Sequence, residues 1–339
     1  MERAAELSLY RRELSSKRFR LAALLLFLLA AAALWRLGAG EWNIAPGRVA
    51  ALLSPFLDEA SRATPEALVV RSVRLPRFLA AVGAGGLLAV AGAVLQGLLS
   101  NPLAEPYTLG IAAGAAFGGA LGFFIGSAAV TPMAFVGALA ALALVTLIAS
   151  RCGRGAAYIV LAGIITNSVL SAGVTFLKAV ADDRLAAIVL WLMGSLSGAS
   201  PAGAWAVWGA AALLFIPACL YSGSIDALSL GEGRGELLGI SEARLRTVLL
   251  TVTSLATAVA VSFFGIIGFV GLVVPHVIRR LIGPLTRPLL FFSFLGGGLL
   301  LAAADGVAQR LGELPVGVIT AIIGGPFFCW ILVSGRKAG

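Results

Sequence analysis

Residues 71–106 read RSVRLPRFLAAVGAGGLLAVAGAVLQGLLSNPLAEP, and the middle of this stretch decides the fold. From Phe78 to Leu99 no residue is charged, and the run is as long as the ~20 residues a helix needs to cross a bilayer. It ends at SNPLAEP, where Pro102 and Pro106 prevent continuation. The small residues of AVGAGGLLAVAG let a neighbouring helix come close, so this face is expected to pack against protein. Ahead of the run stand Arg71, Arg74 and Arg77, a spacing that lines them along one side of a helix.

The pattern recurs along the whole chain. Its 339 residues are 60% hydrophobic and 12% charged, and mean hydropathy is +1.00; a soluble domain carries about 25% charged residues. No short alternating segments suggest a transmembrane β-barrel. The reading is an all-α polytopic membrane protein with about ten spans. They cover about 19–37, 78–99, 109–127, 132–150, 156–178, 203–221, 247–264, a short or broken span within GIIGFVGLVVPHVIRRL, 288–310 and 315–334. After the fifth span, LAAIVLWLMGSL is too short to cross and belongs near the outer interface. Residues 1–18 form a cytoplasmic N-terminal segment, 19–335 a single membrane domain, and 222–246 its main hydrophilic interruption. The basic N-terminus and first apolar run resemble a signal peptide, but the run's length and the many following spans favour an uncleaved helix.

Net charge is +9. In a membrane protein such an excess orients helices through basic cytoplasmic loops, so nucleic-acid binding is not inferred. With both termini inside, Arg151, Arg154, Arg234, Arg244, Arg246, Arg279, Arg280, Arg287, Arg336 and Lys337 fall on the cytoplasmic side. RSVRLPR falls outside, against the tendency, which calls for something to hold it there.

Reactive chemistry is sparse. Cys152, Cys219 and Cys329 are scattered, His276 is the lone histidine, and no metal-ligand set, nucleophile–base pair or phosphate-binding GxxxxGK[ST] occurs. Neither cofactor nor metal is expected. Asp305 is the one acidic residue within an apolar span, toward its outer half, and is expected to be a paired structural carboxylate. An ion-coupled carrier acting alone would need more such groups, so the energy is expected to come from a partner chain docking on 222–246.

RLPRFLAAVGAGGLLAVAGAVLQGLLSNPLAEPYTLGIAAGAAFG resembles the signature of the iron-chelate, haem and cobalamin permeases of type II ABC importers. GFVGLVVPHVIRRLIG, the segment around Asp305 and Arg310, and LPVGVITAIIGGPFF match the second half of the same family, in order across about 20–335. The resemblance implies a homodimer of ten-helix permeases in the cytoplasmic membrane of a bacterium or archaeon. Two cytoplasmic ATP-binding cassette subunits and a periplasmic or extracellular substrate-binding protein complete the machine. It implies that LSLGEGRGELLGI, residues 228–240, rests in a groove of the ATPase, with Leu228, Leu230, Gly231, Glu232, Leu238 and Gly239 as coupling residues. Arg74, Arg77 and Arg310 match positions that meet acidic residues of the binding protein, and Asn101 and Leu103 match an inner constriction. Near the start of the fifth span the family often carries a small hydroxyl residue where this chain has Ala156. His276 belongs to the family's PH pair, which implies a structural role.

Overall fold

The computed structural model describes residues 2–40, 42–54, 63–153, 155–229, 231, 234–237 and 239–335. Among them it is all-helical: α1 (Glu2–Gly38), α2 (Pro46–Leu53), α3 (Pro65–Leu98), α4 (Ile111–Ile125), α5 (Val130–Cys152), α6 (Ala156–Ala179), α7 (Leu185–Leu192), α8 (Pro201–Leu220), α9 (Ser222–Leu228), α10 (Arg234–Leu237), α11 (Glu242–Phe264), α12 (Val270–Ile282), α13 (Thr286–Arg310) and α14 (Val316–Gly335). Seven of these, α1, α3, α5, α6, α8, α11 and α13, are long and apolar enough to cross a membrane. The shorter α4 and the described apolar part of α14, Val316–Trp330, are apolar as well.

Local sequence explains where these helices start. Proline occupies the first turn of α2, α3 and α8, where its missing N–H costs no helical bond. At α8, Ser200 Oγ accepts from the backbone N–H of Gly203 at 3.1 Å, satisfying one otherwise unpaired donor. Three boundaries differ from expectation, and one of them is α3, which begins at Pro65 rather than 78. Helix α1 begins at Glu2 rather than near 19, with a Glu13–Lys17 pair one turn apart at 2.9 Å supporting the charged part. Helix α11 begins at Glu242 rather than 247, because Glu242 is tied down by the backbone N–H of Gly235 and by Arg246.

Helix α3 is the centre of the bundle: 89% of its apolar window is buried. It packs along α13, α8, α12 and α11. Close approach is achieved by glycine on both sides. Gly85 lies against the carbonyl of Gly297 on α13, Gly92 against the carbonyl of Gly271 on α12, and Gly114 of α4 against Gly137 of α5. A Cβ at any of these would meet backbone that cannot rotate away, so the glycine-rich runs are packing faces, as expected.

The short helix at the eighth expected span is present as α12, but it does not break at Pro275. A proline cannot donate to the carbonyl one turn back, here Gly271. Gln96 of α3 supplies the missing donor, its Nε2 reaching Gly271 O at 3.2 Å. The chain before α12, from Gly265 to Phe269, is non-helical; both end residues have positive φ, 71° and 67°. Tyr107 pins this stretch by accepting from the N–H of Ile267 at 2.9 Å and donating to its carbonyl. The segment after α6 is short, as expected, forming only α7.

Candidate functional site

The functional residues gather at opposite ends of the α3–α13 pair. At one end is a charged cluster. Asp305 of α13 is 1% exposed and accepts from two arginines of different helices. Arg77 of α3 reaches it through Nε at 2.9 Å and through Nη2 at 3.0 Å. Arg36 of α1 pairs with the same carboxylate and also donates to Gln309. Arg77 turns its remaining edge to Glu313, at 2.8 and 3.1 Å, in the turn after α13. A buried carboxylate with two guanidiniums is tolerable because every charge has a partner; removing one partner would strand the others. The expectation of a paired structural Asp305 is met.

Arg71, Arg74 and Arg77 do not line one side of a helix. Helix α3 winds as a π-helix over Val69–Arg74, just before Pro76, where a regular α ladder would lose a donor and clash. The wider turn changes the angular spacing, and the arginines diverge. Arg77 goes inward to Asp305. Arg74 donates to the carbonyls of Leu37 at 2.8 Å, Gly38 at 3.1 Å and Trp42 at 2.7 Å, locking the turn after α1. Arg71 stays half-buried. The expectation of Arg77 as a surface group awaiting a partner is therefore corrected: its guanidinium is buried and bonded within the chain. Arg310 is exposed, 4.7 Å over the ring of Trp35. Trp35, Arg36, Arg74, Arg77, Arg310 and Glu313 all border a cavity of ≈ 870 Å³. The cluster is thus one site, although not the arginine stripe read from the sequence.

At the other end is a turn-rich assembly. Asn101 Oδ1 accepts from the N–H of Leu103 at 2.9 Å, a local turn that leaves the Leu103 side chain 43% exposed. Ser100, with φ 46°, donates through Oγ to the carbonyl of Leu228 at 3.2 Å. This joins the SNPLAEP loop to the end of α9. Asp226 of α9 in turn accepts from the N–H of Thr286 at 2.9 Å and from its hydroxyl at 2.5 Å, fixing α9 to the start of α13. Gln96 extends the assembly by accepting from Arg279 Nη1 at 3.0 Å. Ala156 opens α6 and is buried in the core. In the same loop, burial pushes the Glu105 carboxyl up to about 7, and its Oε2 has no hydrogen-bond partner among the described residues.

Of the expected coupling residues, Leu228 is buried, Gly231 is half-buried with φ 123°, and Gly239 is exposed with φ 77°. Leu230, Glu232 and Leu238 lie outside the described residues. Leu237 of α10, not singled out by the sequence reading, is 86% exposed between them. The signal for it is an apolar residue on a polar segment, in GELLG, but nothing in the spacing there shows that Leu237 is exposed. Gln96, Asp226 and Glu313 were also missed, since their partners lie far away in sequence. His276 keeps its place in α12 with Nε2 buried and without a partner among the described residues.

The model of the FecCD transport family matches residues 25–334. This chain belongs to that family. Among FecCD relatives, the chain is 40% identical over 275 residues to the cobalamin import system permease protein of Halobacterium salinarum, covering 78% of this chain and 73% of the relative. It is 40% identical over 291 residues to the hemin transport system permease protein of Yersinia pestis, covering 78% and 83%. It is 31% identical over 329 residues to the molybdate import system permease protein of Haemophilus influenzae, covering 93% and 96%. A solved structure of an inward-facing, metal-chelate type ABC transporter superposes with a TM-score of 0.81 at 31% identity, covering 91% of this chain and 97% of that one. The resemblance to iron-chelate, haem and cobalamin permeases read from the motifs therefore stands, and the chain is a multi-span membrane permease of the ABC importer type.

Proposed function

We propose that this chain is the transmembrane subunit of an ATP-driven importer that moves a metal chelate (an iron–siderophore, haem or cobalamin) into the cytoplasm. Two copies form the pathway, two ATP-binding cassette subunits dock on the inner side, and a substrate-binding protein docks on the outer side. Helix α12 joins α4, α14 and the seven longer spans to make ten crossings, with both termini cytoplasmic. The apolar Ile164, Ile165, Val169 and Phe176 of α6 are exposed, a face suited to the second copy or the pathway.

The observation that carries this reading is the double anchoring of the α3–α13 pair. Its outer end holds the Arg36–Asp305–Arg77–Glu313 cluster, and its inner end is bonded to α9 through Ser100–Leu228 and Asp226–Thr286. One packed unit thus reaches from the proposed docking surface to the proposed coupling segment. On the outer surface, Arg74 and Arg310 border the cavity where acidic side chains of the binding protein would seat, while Arg77 is reachable only along the edge it shares with Glu313. On the inner side, 228–240 meets the ATPase with Leu237 as its apolar tooth, and Asn101 and Leu103 of two copies narrow the path beside Ala156. The relatives' names span cobalamin, hemin and molybdate, so the cargo class rests on the metal-chelate majority of that similarity.

The alternative, a secondary carrier driven by an ion gradient, finds little to work with. Asp305 is the carboxylate inside a span that could bind a coupling ion, and two arginines already occupy it. Uptake of cyanocobalamin, haem and a ferric siderophore into proteoliposomes separates the two. An ATP requirement with the partner ATPase and binding protein supports the proposal, whereas uptake by this chain alone under a proton or sodium gradient overturns it.

A further inference from the structure

A second cavity, of ≈ 500 Å³, lies between α5 and α11 at the end of the bundle that carries Asn101. That volume falls within the ~300–1,000 Å³ typical of small-ligand sites. Its walls are apolar, formed by Leu142, Val145 and Leu250, and its rim carries Arg244 and Arg246. The cavity borders a face that hydrocarbon must cover: Leu144 and Leu147 of α5 are 40% and 54% exposed beside it. An aqueous protein partner would leave such walls unfilled, since they lie within helices long and apolar enough to be membrane spans. The rim selects the sign of the occupant. Arg244 is exposed, Arg151 is exposed one residue beyond the cavity-lining Ser150, and Glu242 is already engaged by Gly235 N–H and by Arg246 at 3.4 Å. An apolar slot under a net positive rim fits an amphiphile with an anionic head.

We propose that an anionic glycerophospholipid seats here, with its phosphate at Arg244 and one acyl chain along Leu142, Val145 and Leu250. The site lies against the start of α11, whose Glu242 ties the cavity-lining Arg246 to Gly235 of α10, so the lipid would brace the segment assigned above to ATPase docking, although its binding depends on neither that assignment nor the transport reading. The test is native mass spectrometry of the purified chain titrated with dioleoyl phosphatidylglycerol or dioleoyl phosphatidylcholine. One arginine near a lipid phosphate is worth about 1 kcal/mol, so the anionic lipid should be retained at about five-fold lower concentration, and Arg244→Gln should erase that preference. Thr146→Trp, which fills the cavity from its rim, should abolish retention of both lipids at this site without lowering the melting temperature. Should that variant not fold, Thr146→Cys with the native cysteines replaced by Ser gives a second readout: phosphatidylglycerol, and not phosphatidylcholine, should slow its labelling by maleimide. Equal retention of the two lipids, an unchanged preference in Arg244→Gln, or labelling of Thr146→Cys indifferent to both lipids would overturn the proposal.

Discussion

The two ends of the α3–α13 pair are built from different chemistry. In the proposed orientation the outer end is ionic and buried: Asp305 holds Arg36 and Arg77, and Glu313 caps the free edge of Arg77. The other end is held by hydrogen bonds, from Ser100 to the carbonyl of Leu228 and from the N–H and hydroxyl of Thr286 to Asp226, with Ser100, Gly231 and Gly239 all in positive-φ conformations. The difference is energetic as much as chemical. Breaking a fully paired buried cluster costs several kcal/mol, whereas a neutral hydrogen bond such as Ser100–Leu228 contributes about 0.5–1.5 kcal/mol and one to a charged group about 1.5–3 kcal/mol. The outer end is thus suited to act as a fixed platform and the inner end to rearrange at modest cost, as the proposed drive by ATP hydrolysis requires.

Substitutions can break this contrast in order of expected size. Asp305→Ala removes the buried carboxylate shared by two guanidiniums, leaving Arg36 only Gln309 and Arg77 only the half-exposed Glu313 among the described residues, and should cost about 3–5 kcal/mol, read as a large fall in melting temperature in detergent. A loss below about 1 kcal/mol would show that the cluster is solvated and the platform is not rigid. Next comes pH. Burial raises Glu105 from 4.5 to about 7 in the folded chain, so between those values the folded state binds more protons than the unfolded state. Stability should fall as pH rises through that window, by up to about 3 kcal/mol, and Glu105→Gln should flatten the slope. A pH-independent melting temperature from 4.5 to 7.5 in the parent would contradict the burial of this carboxyl.

Gln96→Ala removes the donor that replaces the missing N–H of Pro275 and the acceptor of Arg279. Leaving Gly271 O unsatisfied should cost about 1–3 kcal/mol, seen as faster hydrogen exchange across α12. Exchange unchanged in α12 would mean that Gln96 does not hold it. The smallest effect on stability belongs to Glu313→Gln. Its carboxylate side chain is 46% exposed, so the change should be under about 1 kcal/mol. By freeing the outer edge of Arg77 it should tighten docking of the binding protein at low salt. Arg74→Glu combined with Arg310→Glu should weaken docking and make it less sensitive to salt. Docking unaltered by the reversal would assign those arginines to the fold alone.

The apolar runs, their breaks at Pro102 and Pro106 and the glycine faces were legible because each is set by local composition. The helices α4, α5, α6, α8 and α13 lie within a few residues of their expected bounds, and α3 ends where expected but starts at Pro65, well before Phe78. The paired state of Asp305 was legible for the same reason, since a lone carboxylate in an apolar run must be satisfied. Its partners were not legible. Arg36 and Arg77 are separated from it by more than 200 residues, and a π turn rotated the arginines out of their apparent stripe. The continuous α12 was hidden likewise, because the donor that rescues Pro275 sits on α3. Charge and period report what must be compensated, while the compensating group is chosen by tertiary packing.

The central claim is that motion enters at the inner end through the 228–240 segment while the outer platform stays intact. Parent and Leu237→Asp proteins, each assembled with ATPase and binding protein in proteoliposomes, allow uptake and ATP hydrolysis to be measured together. With Glu232→Arg and Leu230→Asp as a second uncoupling pair, the account predicts that each variant inserts and melts like the parent and still docks the binding protein. Uptake per ATP hydrolysed should fall at least about ten-fold, as expected where an apolar anchor worth more than 1.4 kcal/mol is lost from an interface. Parent-like uptake per ATP in both variants would contradict it.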